Sequence, residues 1–400
     1  MMIAKSQVYD WRGPGRSGTY NEKGLLKEWP ESGPELLWEI ENLGFGYGSP
    51  TITDDAVYIT GRVGDDDVLT ALTLYGNKKW SVEYGKSWTR NHDGTRGIPT
   101  YVDGKIFLVS GSGDIVCVDR NGTVIWSKNH YDLYGSSPLM FGISESPLYV
   151  DGKIIASPGG NKASVVAFDA NDGSVIWEAE SLNEGPQYVN PLLIERGGKK
   201  ILVSLTSRHI IGVNTENGEM LWTLDYDKIK NISGRSSKNH AVTPIYRDGY
   251  ILVANGYDYP AIKLKLSADG NSVDKVWTNS DLEPHHGGMV LIGDYIYSSN
   301  HLSNAMGDWV CVDWNTGETM WTERWHCKGP IIYADGMLYL YEERTGHVGL
   351  AKPNPEKLEI VSEFQINKGT GPHWAHPVIK DGKLYIRHGE VLMVYSISED

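Results

Sequence analysis

Cys311-Val312-Asp313-Trp314-Asn315-Thr316-Gly317-Glu318-Thr319-Met320-Trp321 is the clearest copy of a phrase that recurs down the chain. A short apolar run ends at an aspartate, a turn leads to a glycine, and a tryptophan follows four residues later. The phrase returns from Ala167 through Asp169 and Gly173 to Trp177. It returns more loosely from Gly212 to Trp222, from Cys117 to Trp126 and from Ala71 to Trp80. Trp38, Trp80, Trp126, Trp177, Trp222, Trp277 and Trp321 mark the period, with Phe364 in the next slot. The steps are 42, 46, 51, 45, 55, 44 and 43 residues. Self-similarity at such a period marks a stacked or radial array.

Each unit reads as four strands. In the second, Gly97 to Val102 alternates, Asp103-Gly104 is a hairpin turn, Ile106 to Val109 is apolar, Ile115 to Val118 follows a glycine-rich turn, and a last strand carries Trp126. Helix-period segments are absent, which makes solenoids of paired helices poor competitors. Four antiparallel strands repeated at this spacing predict propeller blades. Seven complete units end at Phe364. The tail from Pro377 to Ile397 supplies three strands, and Glu35 to Ile40 supplies a tryptophan-bearing strand with none before it. Joining the two predicts an all-β, eight-bladed propeller of four-stranded antiparallel blades, closed by an N-terminal outer strand in the last blade. Closure removes the sheet edges an open array would expose. The expected organisation is an N-terminal extension over 1–34 and one propeller over 35–400.

The Asp-x-x-Thr-Gly-x-x-x-Trp phrase resembles the tryptophan-docking repeat of the pyrroloquinoline-quinone-like, or quinoprotein-like, eight-bladed propellers. In that family the tryptophan packs between neighbouring blades. Trp11-Arg12-Gly13-Pro14-Gly15-Arg16-Ser17-Gly18 also resembles the opening of exported members. The family includes quinone-dependent dehydrogenases and the lipoprotein scaffold of the outer-membrane barrel-assembly machinery. Its fold therefore does not fix its function.

Composition fits a folded globular chain: 400 residues, 40% hydrophobic, with no apolar run long enough to span a membrane. A net charge of −14 argues against nucleic acid as a partner, since such binding needs a basic face. Cys117 and Cys311 hold the same strand position in opposite blades and Cys327 is separate, so the three cysteines do not read as a disulfide framework. Met1 to Gln7 lacks the apolar core of a signal peptide. The resemblance implies a periplasmic or extracellular protein whose signal peptide is absent from this chain.

The histidines carry the functional signal. In a blade, the fourth-to-first and second-to-third connections emerge at the same end. His92, His130, His240, His285, His286, His326, His373 and His376 fall in or beside the former; His209, His301, His347 and His388 fall in or beside the latter. Most innermost strands begin at a proline. Four residues earlier, blades five to eight carry His240, His285, Cys327 and His373, an arc at one level of the expected channel mouth. One residue further on stand Tyr188, Arg96, His286, Lys328 and Trp374, and Gln187 precedes Tyr188. Imidazoles in an arc suit a divalent transition metal, with His240, His285 and His373 as ligands. They suit better a ligand-binding channel in which they act as hydrogen-bond partners or proton carriers.

Three functions follow. The first is a carbohydrate-active enzyme of the lyase type acting on an acidic glycan, with metal assistance as an option. His240, His285 or His373 would remove the proton alpha to a carboxylate and Tyr188 would donate one. Arg96 and Lys328 would hold the carboxylate, and Gln187, His286 and Trp374 would complete the binding set for a small molecule or glycan. Other connections at this end carry Trp88, Trp325, Arg90, Arg235 and Lys238, residues that suit an anionic or polyhydroxylated ligand. The second is a non-catalytic periplasmic scaffold or binding protein with a protein partner. The third, a quinone-dependent dehydrogenase, is disfavoured. The resemblance implies adjacent cysteines beside the quinone and acidic Ca²⁺ ligands, whereas this chain has no Cys-Cys pair and only Glu145, Glu184 and Glu283 as main acidic candidates. Pyrroloquinoline quinone is accordingly not expected.

Overall fold

Each copy of the phrase builds the turn between the third and fourth strands of a blade, and its residue types explain why. Asp313 Oδ1 accepts the backbone N–H groups of Asn315 and Thr316 at 2.7 Å, which starts the turn locally. Gly317 then adopts φ +77°, and a Cβ there would lie 2.6 Å from the Trp277 ring of the preceding blade. Trp277 donates Nε1–H to the Trp314 carbonyl of this same turn at 3.1 Å. One phrase thus supplies a tryptophan that docks forward and a glycine that receives the tryptophan behind it. The geometry repeats for Trp80 on Arg120, Trp126 on Ala170 and Trp321 on Asn354. Burying a ring of this size contributes about 4 to 6 kcal/mol of transfer free energy, as an upper bound. In blade 4 the arrangement differs: Trp222 lies so close to Gly212 of its own sheet that a Cβ there would meet the ring at 2.1 Å.

The computed structural model describes residues 7–229 and 238–399; Arg235 lies outside them. The fold is an all-β propeller of eight sheets, as the repeat predicts. Its only described α-helix is the short His130–Tyr134. Two compact units share the blades: Met1–Trp11 with Asn42–Pro186, and Arg12–Glu41 with Gln187–Asp400. The first holds blades 1 to 3, from Thr51–Ile52 to Val175–Glu178. Blade 2 gains a fifth strand because Val8–Tyr9 pairs antiparallel with its innermost strand, Thr100–Val102.

The second unit holds blades 4 to 8. Their innermost strands are Leu192–Arg196, Ile245–Arg247, Met289–Ile292, Ile331–Ala334 and Val378–Lys380. Blade 8 takes its outer strand from Leu36–Ile40, which pairs antiparallel with Val391–Ser396. This is the N-terminal closure that the stranded Trp38 predicts. Buried clusters lie between consecutive blades: Val253 and Tyr259 pack with Leu205 and Trp222, and Tyr341 and Val348 pack with Ile379 and Ile386.

The opening motif has a structural role of its own. Thr19–Tyr20 pairs parallel with Ile331–Ala334, adding a fifth strand to blade 7. Arg12, 3% exposed, donates to the carbonyls of Gly287, Met289 and Ile331. A single guanidinium thereby satisfies carbonyls at the starts of the innermost strands of blades 6 and 7. Arg12 also meets His376 Nδ1 at 2.8 Å, so that nitrogen accepts, while Nε2–H donates to the His286 carbonyl. The neutral tautomer of His376 is thus fixed on both sides, consistent with burial and the Arg12 charge pushing its pKa down.

Candidate functional site

In the second unit, histidines from the two kinds of connection meet in pairs. His285, before blade 6, has its ring centroid 4.3 Å from that of His301 in the second-to-third turn of blade 6. His326 stacks on His347 at 3.7 Å, and His373 on His388 at 3.6 Å. The topology causes this, because each loop leading into a blade crosses beside the turn joining that blade's second and third strands.

The largest of these clusters centres on His285 and His286. They sit in a bend before Met289–Ile292, so their side chains are free of the strict alternation of a strand. Their rings lie 4.4 Å apart and inclined by 47°. Tyr257, from the second-to-third turn of blade 5, places its hydroxyl 2.7 Å from His285 Nε2. Trp374 packs edge-on against His286 at 5.3 Å. Glu343, from the corresponding turn of blade 7, is 4% exposed and directs Oε2 to 3.3 Å from His286 Nε2.

The other oxygen of Glu343 is already engaged. Lys328, fully buried, places Nζ 2.7 Å from Oε1 and donates also to the Ser303 carbonyl at 2.8 Å, with Asn304 and Met306 carbonyls at 3.3 and 3.4 Å. That leaves the ammonium committed and Oε2 facing only His286 Nε2. Among the described residues, Glu343 Oε2, His286 Nε2 and His301 Nδ1 are buried atoms with no aligned hydrogen-bond partner. Each such atom costs about 1 to 3 kcal/mol. Burial alone would raise the Glu343 carboxyl; His286 and Lys328 outweigh it and hold the group below its ordinary range. Burial, with the Lys328 charge second, pushes His301 down to about 4.

The other residues singled out by sequence occupy different surroundings. His240 is 1% exposed, edge-on to Tyr259 at 4.6 Å and 5.6 Å from Tyr226. Its backbone is clamped by its two candidate partners: its N–H donates to Gln187 Oε1 and its carbonyl accepts from Tyr188 N–H, both at 2.9 Å. His373 Nδ1 accepts from the Tyr341 hydroxyl at 2.6 Å, and burial pushes the imidazole down to about 3. Cys327 turns its Sγ toward the Ala305 carbonyl at 3.5 Å. Arg96 belongs to the first unit. There it donates to the carbonyls of Gly94 and His92, with its guanidinium 5.1 Å from the Tyr47 ring.

Among the described residues, the groups whose donor atoms could share a metal ion are His285 with His286 and Glu343, and His326 with His347 and Glu363. Of the three histidines read as ligands, only His285 is in such a group. Glu343 is not among Glu145, Glu184 and Glu283, the acids expected near the channel, all of which lie in connections entering a blade. Its own turn, Glu342-Glu343-Arg344-Thr345-Gly346, is of the second-to-third kind that also carries His301. Extending the register to that second set of turns is the signal that finds it.

Comparison with known proteins agrees with this architecture. Residues 85–323 match the family described as outer membrane protein assembly factor BamB. The outer membrane protein assembly factor BamB of Shewanella oneidensis is 21% identical over 322 residues, 76% of each chain. The lanthanide-dependent methanol dehydrogenase of Methylacidiphilum fumariolicum is 32% identical over 91 residues, 22% of this chain and 14% of that one. Among solved structures, BamB from Moraxella catarrhalis superposes with a TM-score of 0.62 at 15% identity, covering 91% of this chain and 98% of its own.

Proposed function

The chain belongs to the family of the outer membrane protein assembly factor BamB, and from that premise we propose that it is a periplasmic scaffold whose loops dock a protein partner in the assembly of outer-membrane proteins. The observation that carries the reading is the family match, which runs from the end of blade 1 through blade 6. No described helix is long and apolar enough to cross a membrane.

The site geometry favours binding over elimination chemistry. Lys328, which a lyase would need to hold a substrate carboxylate, already holds Glu343 and backbone carbonyls. His240, a candidate base, is enclosed by tyrosine rings. Exposed apolar side chains instead stand beside the histidines: Leu302 and Met306 are 55% and 49% exposed in the second-to-third turn of blade 6. Photo-crosslinking amino acids placed at Leu302 and Met306 test the proposal in cells. The expected adduct contains a component of the outer-membrane assembly machinery. Absence of such an adduct, together with turnover of a uronate-containing oligosaccharide by the purified chain, would replace the scaffold with the lyase.

A further inference from the structure

We infer that His285, His286 and Glu343 form a binding site for a divalent transition-metal ion of the Zn²⁺ class. One donor atom from each side chain lies within 4.8 Å of the others. The 3.3 Å between His286 Nε2 and Glu343 Oε2 matches the edge spanned by two ligands on a tetrahedral ion at about 2 Å. Two borderline imidazole donors beside a single hard carboxylate favour Zn²⁺ over the oxygen-seeking Ca²⁺ and Mg²⁺.

The surroundings are those of a prepared site. Glu343 Oε2 is buried without an aligned hydrogen-bond donor, while Lys328 fixes the carboxylate through Oε1 and so aims the second oxygen at the imidazoles. Tyr257 orients His285 through Nε2, the outer contact that commonly sets a ligand histidine. Gly287 and Gly288, the latter at φ +74°, turn the chain immediately after the two histidines.

The second cluster is less suited to the same role. His326 and His347 stack at 3.7 Å with only 10° between their planes. The in-plane lone pairs of parallel rings run side by side and do not converge on one ion. Glu363, its carboxylate, also accepts the Trp325 N–H at 2.7 Å. Rings inclined by 47°, as in the first cluster, can point to a common centre.

With three protein ligands, the ion keeps an open position. Lys328 and the ion together exceed the charge of Glu343, so that position would take water or an anionic group such as a carboxylate.

The test uses the full chain, stripped with a chelator and titrated with Zn²⁺ by calorimetry, and with Co²⁺ by absorption spectroscopy. One ion per chain is expected, with Co²⁺ giving ligand-field bands of a nitrogen and oxygen site. His286→Ala and Glu343→Gln should each weaken binding by at least about tenfold. A His326→Ala/His347→Ala double variant should bind as the parent does. Thermal unfolding without metal reports separately on whether each variant folds. No bound ion in the parent chain, or unchanged affinity in a folded His285→Ala/His286→Ala variant, overturns the assignment. Either result leaves the scaffold proposal standing, because that is read from partner adducts and not from metal.

Discussion

An alanine at position 317 would set its Cβ 2.6 Å from the Trp277 ring while holding φ near +77°. The left-handed conformation costs about 1 to 2 kcal/mol and the overpacking about 1 to 3 kcal/mol. Gly317→Ala should therefore lower the urea midpoint by an amount equivalent to about 2 to 5 kcal/mol. An equal midpoint would mean that the glycine does not receive the tryptophan as described. Lys328 makes a second case. Lys328→Met leaves the Glu343 carboxylate buried without its cation, a change worth about 3 to 5 kcal/mol. The double variant Lys328→Met/Glu343→Leu removes the stranded charge, and should recover part of that loss. Additive losses would show that the two side chains do not act as a pair.

At the level of strands and connections, the pairing of loop with turn places several imidazoles out of water. His373 accepts from Tyr341 and is pushed down to about 3 by burial and then by the nearby His388 and His347. A folded-state pKa below the unfolded value of about 6.5 means that the unfolded chain binds the extra proton first. Its contribution to stability is complete above about pH 6.5 and is lost progressively as the pH falls toward 3. His130, in the first unit, is pushed down to about 4 by burial and acts with the same sign. The unfolding midpoint should rise with pH between about 4 and 6.5, and His373→Gln should flatten that rise by up to one proton. A flat parent profile would contradict the buried neutral ring.

These elements also show what was legible in the chain. The phrase ending in Trp321 encodes the turn, the docking tryptophan and the glycine that receives it, so the blades and their N-terminal closure could be read directly. The convergence of His285 with His301, Tyr257 and Glu343 could not. It depends on turns from three successive blades meeting in space, and only the histidines stood out by residue type. The carboxylate was one glutamate among many in an acidic chain. Trp222 is a smaller instance: its slot in the period is regular, but Gly212 beneath it permits a ring position that the repeat does not announce.

For the molecule as a whole, family membership is what supports the docking role proposed above. Among the described residues, the long connections run from blade to blade, as from Glu178 to Leu192 and from Gln365 to Val378. Such loops suit the proposed docking role, while buried clusters between blades hold the sheets together. The proposed role of this chain is in outer-membrane protein assembly. Its most direct test is the abundance of folded outer-membrane proteins in native cells depleted of the chain, compared with cells resupplied with it. A fall on depletion and recovery on resupply is expected. Unchanged abundance of folded outer-membrane proteins would contradict it.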